Sequence, residues 1–342
     1  MFIGKSQMFG VDLGTSNTRI YRKGIGIVLQ EPSVVAVRSG TREVVAYGSE
    51  AEAMIGRTPG SLEVVYPLID GTIADFELAS AMLQHFIGKV QGKRSLLRGK
   101  AEYYISVPCG ITSVQKRAVE DTVLRNGAKR AVVIEDPIAA AWGAGLPVDE
   151  PGGNMILDIG GGKSQIAVVS LGGIVVSRSV NRGGMSIDKD IADYVKKTYN
   201  LEIGQRTAEE IKKRLAFAVP ADEEARMEVR GRDTVLGLPR SITLGSGEIS
   251  DQLDAFFAVL TDSIRATLER CPPELAGDLL EKGVTLCGGG ALLHGIGDRL
   301  REETGVPFHL PEHPDECTVL GIGKLLSGSR SRNPVRLNAI NA

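Results

Sequence analysis

Three short turns in this 342-residue chain have the composition of anion cradles. Gly14-Thr15-Ser16-Asn17, Gly160-Gly161-Gly162 and Gly288-Gly289-Gly290 each follow an apolar run. A turn without bulky side chains lets successive backbone N–H groups point at one phosphate. An aspartate stands just ahead of the first two turns, at Asp12 and Asp158. A carboxylate there cannot bind phosphate itself, but it can order the waters around a magnesium ion that bridges phosphates. One such turn alone reads equally well as an ordinary hairpin. Three of them, two with matched aspartates, favour a nucleotide. Gly162-Lys163-Ser164 imitates the end of a P-loop, yet the required first glycine falls on Leu157. The chain also returns to a strand at Ile166–Ser170, where a P-loop opens a helix, so that reading fails.

Turns of this kind need strands on both sides, and the sequence supplies them twice. Residues 8–21 (MFGVDLGTSNTRIY) and 155–168 (MILDIGGGKSQIAV) share one pattern: an apolar run, an aspartate, a glycine-bearing turn and a second alternating run. Each reads as a strand, a tight turn and a returning strand, with the aspartate at the end of the first strand. Two copies with the aspartates in register predict a duplicated lobe. Leu78, Met82, Leu83, Phe86 and Val90 share one face of a helix over 78–91. Tyr103–Val107 reads as a strand closed by Pro108, Ser113–Asn126 as a helix capped by Gly127, and Ala131–Ile134 as a strand. Pro137 opens an alanine-rich helix over Ile138–Gly145. Further helices are expected over 186–199, 208–215 and 249–270, strands over 227–230, 241–244 and 284–286, and a last helix from Gly321. Strands alternating with helices give an α/β class.

The bulk composition narrows the function classes. A chain of 342 residues and 36.4 kDa can bury a full core in each of two lobes. A net charge of −2 gives no general attraction to nucleic acid. Cys109, Cys271, Cys287 and Cys317 show no metal or redox spacing and read as buried thiols in a reducing compartment. No apolar run is long enough to span a bilayer, and Met1–Phe9 is too short for a signal peptide, so a cytoplasmic location is expected. From Ser327 onward the arginines stand among small polar residues, and an unstructured tail is expected.

At this point five segments, in order, resemble the actin fold. They are Val11–Thr18 as first phosphate loop, Ile134-Glu135-Asp136-Pro137 with Ala139–Ala141 as first connector, Leu157–Gly162 as second phosphate loop, Leu286–Ala291 as adenosine segment, and Gly321–Lys324 as second connector. Within that superfamily the chain looks like the MreB/Mbl-type bacterial actin homologues along nearly its whole length. Phrases outside the nucleotide loops carry this: Gly24–Leu29 before Glu31–Ala36, Gly56–Gly60, Asp70–Phe76 and Cys271–Leu275. The resemblance implies two related α/β lobes (duplicated ribonuclease-H-like domains) around an interlobe nucleotide cleft. A first lobe is expected over 1–146, with a smaller subdomain near 33–66 and completion by about 315–330. A second lobe is expected over 147–314, with a smaller subdomain near 181–244, and a disordered tail over 331–342.

The resemblance also implies roles. ATP or ADP would lie between the lobes with magnesium ordered by Asp12 and Asp158 through waters. Gly14, Thr15, Ser16 and Asn17 would clasp the phosphates from one side, and Gly160, Gly161 and Gly162 from the other. Gly288, Gly289, Gly290, Ala291 and Leu292 would lie against adenine and ribose. Glu209 and Lys212 would flank the adenosine, their alternative being a solvated helix face. Two positions depart from the family pattern. The connector usually reads Glu-Glu-Pro, with its second glutamate positioning the attacking water; here that residue is Asp136, whose carboxylate sits roughly 1.5 Å further back. A misplacement of about 1 Å can cost on the order of a hundredfold in rate, so a weak ATPase is expected. The usual Thr-Thr-Glu of the second loop is Lys163-Ser164-Gln165. Lys163 either adds charge at the γ-phosphate, holds the nucleotide too firmly, or points to solvent.

Family members of this kind form head-to-tail filaments, paired as protofilaments on the inner face of the cytoplasmic membrane, and organise cell-wall elongation proteins. Two apolar spots beside basic residues suit an anionic surface: an N-terminus of Met1, Phe2, Ile3, Met8 and Phe9 interrupted by Lys5, and Leu96 and Leu97 between Lys93, Arg94, Arg98 and Lys100. Local packing is the alternative for both. An actin-fold small-molecule kinase or phosphatase, or a non-polymerising ATP-binding regulator, is the rival function. No acceptor-side general base supports the kinase, and the chain ends too soon for a chaperone's peptide-binding region.

Overall fold

The computed structural model describes residues 7–91, 101–220, 223–328 and the backbone of 339–341. Of the residues expected at a membrane, Met1, Phe2, Ile3, Leu96 and Leu97 lie outside these, whereas Met8 and Phe9 begin the first strand and Phe9 is buried in its core rather than free for a membrane. Both predicted hairpins form, as Met8–Leu13 with Asn17–Arg22 and as Asn154–Ile159 with Ser164–Ser170. Their turns close alike: Gly14 N donates to Asn17 O at 3.1 Å, and Gly160 N to Lys163 O at 2.9 Å.

The sheets built on these hairpins follow one plan. In each, the first hairpin strand runs parallel to a later strand (Glu102–Val107 or Val284–Cys287) and antiparallel to its returning partner. A third antiparallel strand follows the hairpin, Gly26–Pro32 in one lobe and Gly173–Val180 in the other. A second parallel strand lies beyond the first in each sheet, Arg130–Glu135 and Phe308–His309. The duplication read from the two aspartates thus extends to whole sheets.

Side-chain alternation along these strands sets the layers. Phe9, Val11, Tyr103 and Ile105 face the helices Phe76–Gln91 and Ser113–Arg125 and are buried with Met82, Phe86 and Val123. The opposite face carries Ile134, which clusters with Ala139, Ile322 and Leu326 of two further helices, Asp136–Gly143 and Cys317–Ser327. The second lobe repeats this. Met155, Leu157 and Ile159 face its own core, whereas Ile156 clusters with Ala140, Ala141 and Cys317. The two connector helices therefore form a shared layer between the lobes, and they touch backbone to backbone. A β-carbon at Gly321 would lie 1.7 Å from Ala139 O, and one at Gly143 would lie 1.8 Å from Cys317 O. Gly10 has the same use on the first strand, where a β-carbon would fall 2.5 Å from Ile322 Cγ2.

Some elements differ from the sequence reading. The helix expected over 249–270 is broken into Ser246–Ser250, a 3-10 turn at Asp251–Leu253, and Asp254–Glu269. Next to that break, Ser250 Oγ accepts from Phe217 N at 3.2 Å and anchors the segment after helix Gln205–Leu215. The last helix starts at Cys317 rather than Gly321, after a 3-10 turn at Pro314–Glu316. The backbone of Ala339–Asn341, in the tail expected to be unstructured, pairs antiparallel with Arg130–Val132. A sheet edge offers unpaired N–H and C=O groups that such a segment can take. All four cysteines are buried and unpaired, and among the described residues no helix is long and apolar enough to cross a membrane.

Candidate nucleotide site

The alternation that builds the layers also aims the aspartates. Asp12 shares the face of Met8 and Gly10, and Asp158 shares the face of Ile156, so both point into the connector layer at the ends of their strands. Asp136 is the first residue of the connector helix in that layer, made possible by Pro137 in the first turn. Three carboxylates from three segments meet there.

Burial raises the proton affinity of all three, and neighbouring carboxylates add to it at Asp12 and Asp158. Burial, then the charge of Asp136, pushes the Asp12 carboxyl up to about 7, against the opposing effect of Arg19 and a long hydrogen bond from Ser106 Oγ at 3.5 Å. Burial, then Asp136 and Asp12, pushes Asp158 up to about 8. Asp158 accepts no hydrogen bond from the described residues. Asp136 is raised by burial and held down by Gln165, whose Nε2 donates to its Oδ2 at 3.0 Å.

The two glycine turns that follow Asp12 and Asp158 approach each other at contact distance. A β-carbon at Gly161 would lie 1.8 Å from Ser16 Oγ, and one at Gly162 would lie 2.9 Å from Thr15 Oγ1. Glycine is required at both by close approach. Gly14 and Gly160 spend their N–H groups closing their own turns, whereas those of Thr15, Ser16, Gly161 and Gly162 have no acceptor among the described residues. Four free donors in two opposed turns form an anion cradle. Among the described residues no three His, Cys, Asp or Glu side chains converge on one metal position. The donor set therefore fits a hydrated hard cation bridged to phosphate, and does not fit a metal caged by protein ligands.

Other predicted residues are placed as follows. Gly288 takes φ +82°, and a β-carbon there would sit 2.5 Å from Asp158 Oδ1, so the third glycine turn abuts the carboxylates. Ala291 is buried in the second-lobe core, while Leu292 is exposed. Lys212 is committed to the loop's support: its Nζ binds Asp188 Oδ1 at 2.7 Å and Gly184 O at 3.0 Å. Gly184 N in turn donates to Gly160 O at 3.0 Å. Glu209 pairs with Lys213 at 2.7 Å along its helix. Lys163 crosses to the first lobe, where its Cε would be 3.3 Å from a β-carbon on Gly71 and it lines a groove with Asp70, Cys109 and Asn181.

Several contacts at the site carry no motif. Thr15 Oγ1 accepts from Gly71 N at 2.7 Å, fixing the first loop against the 68–73 hairpin. Gln165 Oε1 accepts from Cys109 N at 2.7 Å, so one second-lobe side chain grips two first-lobe segments. Tyr66 OH donates to Gln205 Oε1 at 3.4 Å. Arg19 stands directly opposite Asp12 in the hairpin, as Gln165 stands opposite Asp158. Counting back from the four-residue turns gives both pairs from sequence.

A family model described as MreB/Mbl protein matches residues 6–333. The cell shape-determining protein Mbl of Bacillus cereus is 46% identical over 317 residues, covering 93% of this chain and 95% of the relative. The crystal structure of MreB5 of Spiroplasma citri bound to ADP superposes with a TM-score of 0.90 at 35% identity, covering 96% of this chain and 99% of that one. A MamK double helical filament has the same fold, with a TM-score of 0.79 at 21% identity, covering 94% of this chain and 99% of that one. The actin-like, two-lobed α/β fold expected from the five segments is the one observed.

The raised carboxyls make a pH prediction for the nucleotide-free protein. Between the ordinary aspartate value of 3.8 and about 7 to 8, the folded chain holds protons that the unfolded chain has released. Stability therefore falls as pH rises through that window. The thermal midpoint is expected to drop from about pH 5 to about pH 9, and Asp158→Asn should flatten the drop and melt above wild type at the alkaline end. An unchanged slope in that variant contradicts the carboxylate cluster as its source.

Proposed function

The chain belongs to the MreB/Mbl family, and on that premise we propose that it binds ATP with magnesium between its lobes and assembles into cell-shape filaments. The opposed loops carry this reading: four N–H groups without acceptors face one another over carboxylates that lack enough positive charge. Thr15, Ser16, Gly161 and Gly162 would hold the phosphates through those N–H groups, with Asn17 completing the first turn. Asp12 and Asp158 would hold the waters of a magnesium ion, which supplies charge neutralisation between carboxylate and phosphate. Gly288–Leu292 would carry the adenosine, and Lys212 would support the second loop through Gly184 rather than touch the base.

Asp136 would act on the attacking water, and two features make that step slow. Its side chain is one methylene shorter than the glutamate of the family pattern, and its Oδ2 already accepts from Gln165. Lys163, turned toward Gly71, is a latch between the lobes in this reading. Asp136→Glu is expected to raise single-turnover phosphate release by about tenfold or more. An unchanged rate contradicts Asp136 as the cause of slow hydrolysis.

Assembly would be head to tail, an open heterologous contact that grows without closing. The fold builds a filament in MamK, and the Mbl relative determines cell shape, which supports the same use here. The filament would lie on the inner face of the cytoplasmic membrane through Phe2, Ile3, Leu96 and Leu97 and organise cell-wall elongation proteins. Sedimentation and negative-stain imaging with ATP, ADP or no nucleotide, together with flotation on anionic vesicles, test this. The expected result is filaments with ATP that float with vesicles, and weaker flotation for Leu96→Ser/Leu97→Ser. A protein that stays monomeric with ATP at high concentration, with or without vesicles, contradicts it.

A further inference from the structure

Arg19 is a buried cation between Asp12 and Asp315, and the hairpin register explains how it comes to be there. The residue is 8% exposed and sits on the returning strand opposite Asp12. Its equivalent in the second lobe is Gln165, opposite Asp158. Each of these two side chains reaches the aspartate at the start of a connector. Gln165 Nε2 donates to Asp136 Oδ2 at 3.0 Å, and Arg19 Nη2 donates to Asp315 Oδ2 at 2.8 Å. Asp315 follows Pro314, whose carbonyl accepts from Gly288 N at 2.8 Å. Arg19 thus joins the phosphate hairpin of one lobe to the glycine segment of the other.

The two positions differ in charge. A neutral glutamine suffices to grip a connector aspartate in the second lobe, so holding the connector does not by itself require a guanidinium. What sets Arg19 apart is Nη1, 3.9 Å from Asp12 Oδ2, and a buried Nε with no acceptor among the described residues. Its charge is spread between one partner that anchors it and a carboxylate cluster that needs a cation. Lys163, a second cation near the cluster, acts on Asp136 while its stem lies against Gly71, which leaves Asp12 to Arg19.

We propose that Arg19 is a resident counter-cation of the nucleotide site, a positioning residue that offsets Asp12 and its neighbours and lessens the dependence of nucleotide binding on divalent metal. The inference rests on the cleft being a nucleotide site. A fixed guanidinium beside Asp12 weakens the repulsion that phosphates meet there, and it competes with a metal for the same carboxylate. With the charge removed, a metal must supply all of the neutralisation.

The test is equilibrium binding of a fluorescent ATP analogue, in magnesium and in EDTA, to wild type, Arg19→Gln and Arg19→Lys, with thermal unfolding as the check on folding. Arg19→Gln copies the second-lobe residue and keeps a donor for Asp315. Its loss of affinity on removing magnesium is expected to exceed that of wild type by about tenfold or more, with Arg19→Lys close to wild type. Equal losses in wild type and Arg19→Gln overturn the proposal and leave the nucleotide site standing. No binding to wild type in magnesium overturns both. Should Arg19→Gln fail to fold, the wild type decides: a loss of about a thousandfold or more in EDTA contradicts a resident cation, and a smaller one supports it.

Discussion

Like charge gathered in one place is the constraint around which this molecule is arranged. Asp12, Asp136 and Asp158 arrive from two strands and a connector helix, and burial leaves them competing for too little positive charge. A fold selected for stability alone would replace them with apolar residues, because unpaired carboxylates in a cleft are destabilising. Their presence makes sense where a ligand brings the missing charge and the donors to match. The four N–H groups of the opposed loops, without acceptors among the described residues, would then take the complementary role toward an anion.

The lobes are joined so that this cluster cannot drift apart without disturbing both. The connector helices touch through Gly143 and Gly321 with no space for a β-carbon, and each core sends one strand face to meet them. Gln165 and Arg19 fasten the start of each connector to a hairpin from one lobe. The lobes also touch at Tyr66 with Gln205, Lys163 with Gly71, and Ser16 with Gly161.

Much of this was legible in the sequence for a physical reason. An aspartate interrupts an apolar strand only where something compensates it, and two such interruptions in register exposed both the site and the duplication. Arg19 and Gln165 were also within reach, because a four-residue turn fixes which residues stand across from Asp12 and Asp158. What escaped were contacts between segments far apart in the chain, such as Lys163 with Gly71 and Thr15 with Gly71 N. Nothing local in a lysine says which lobe it will lean on. The break at Asp251–Leu253 escaped because the apolar period runs through it unaltered. The contacts of Lys212 to Asp188 and Gly184 O also escaped, since a helix face reveals exposure but not the carbonyl of Gly184 beyond it.

The central claim is that the carboxylate cluster and the opposed loops together hold a magnesium-bound nucleotide. It is tested most directly by calorimetric titration of ATP with magnesium into wild type and an Asp12→Asn/Asp158→Asn double variant, below the concentration at which either assembles. The account predicts one nucleotide per chain for wild type and an affinity weaker by on the order of a hundredfold for a double variant that still melts cooperatively. A wild type that binds no nucleotide, or a double variant that binds it equally well, would contradict it.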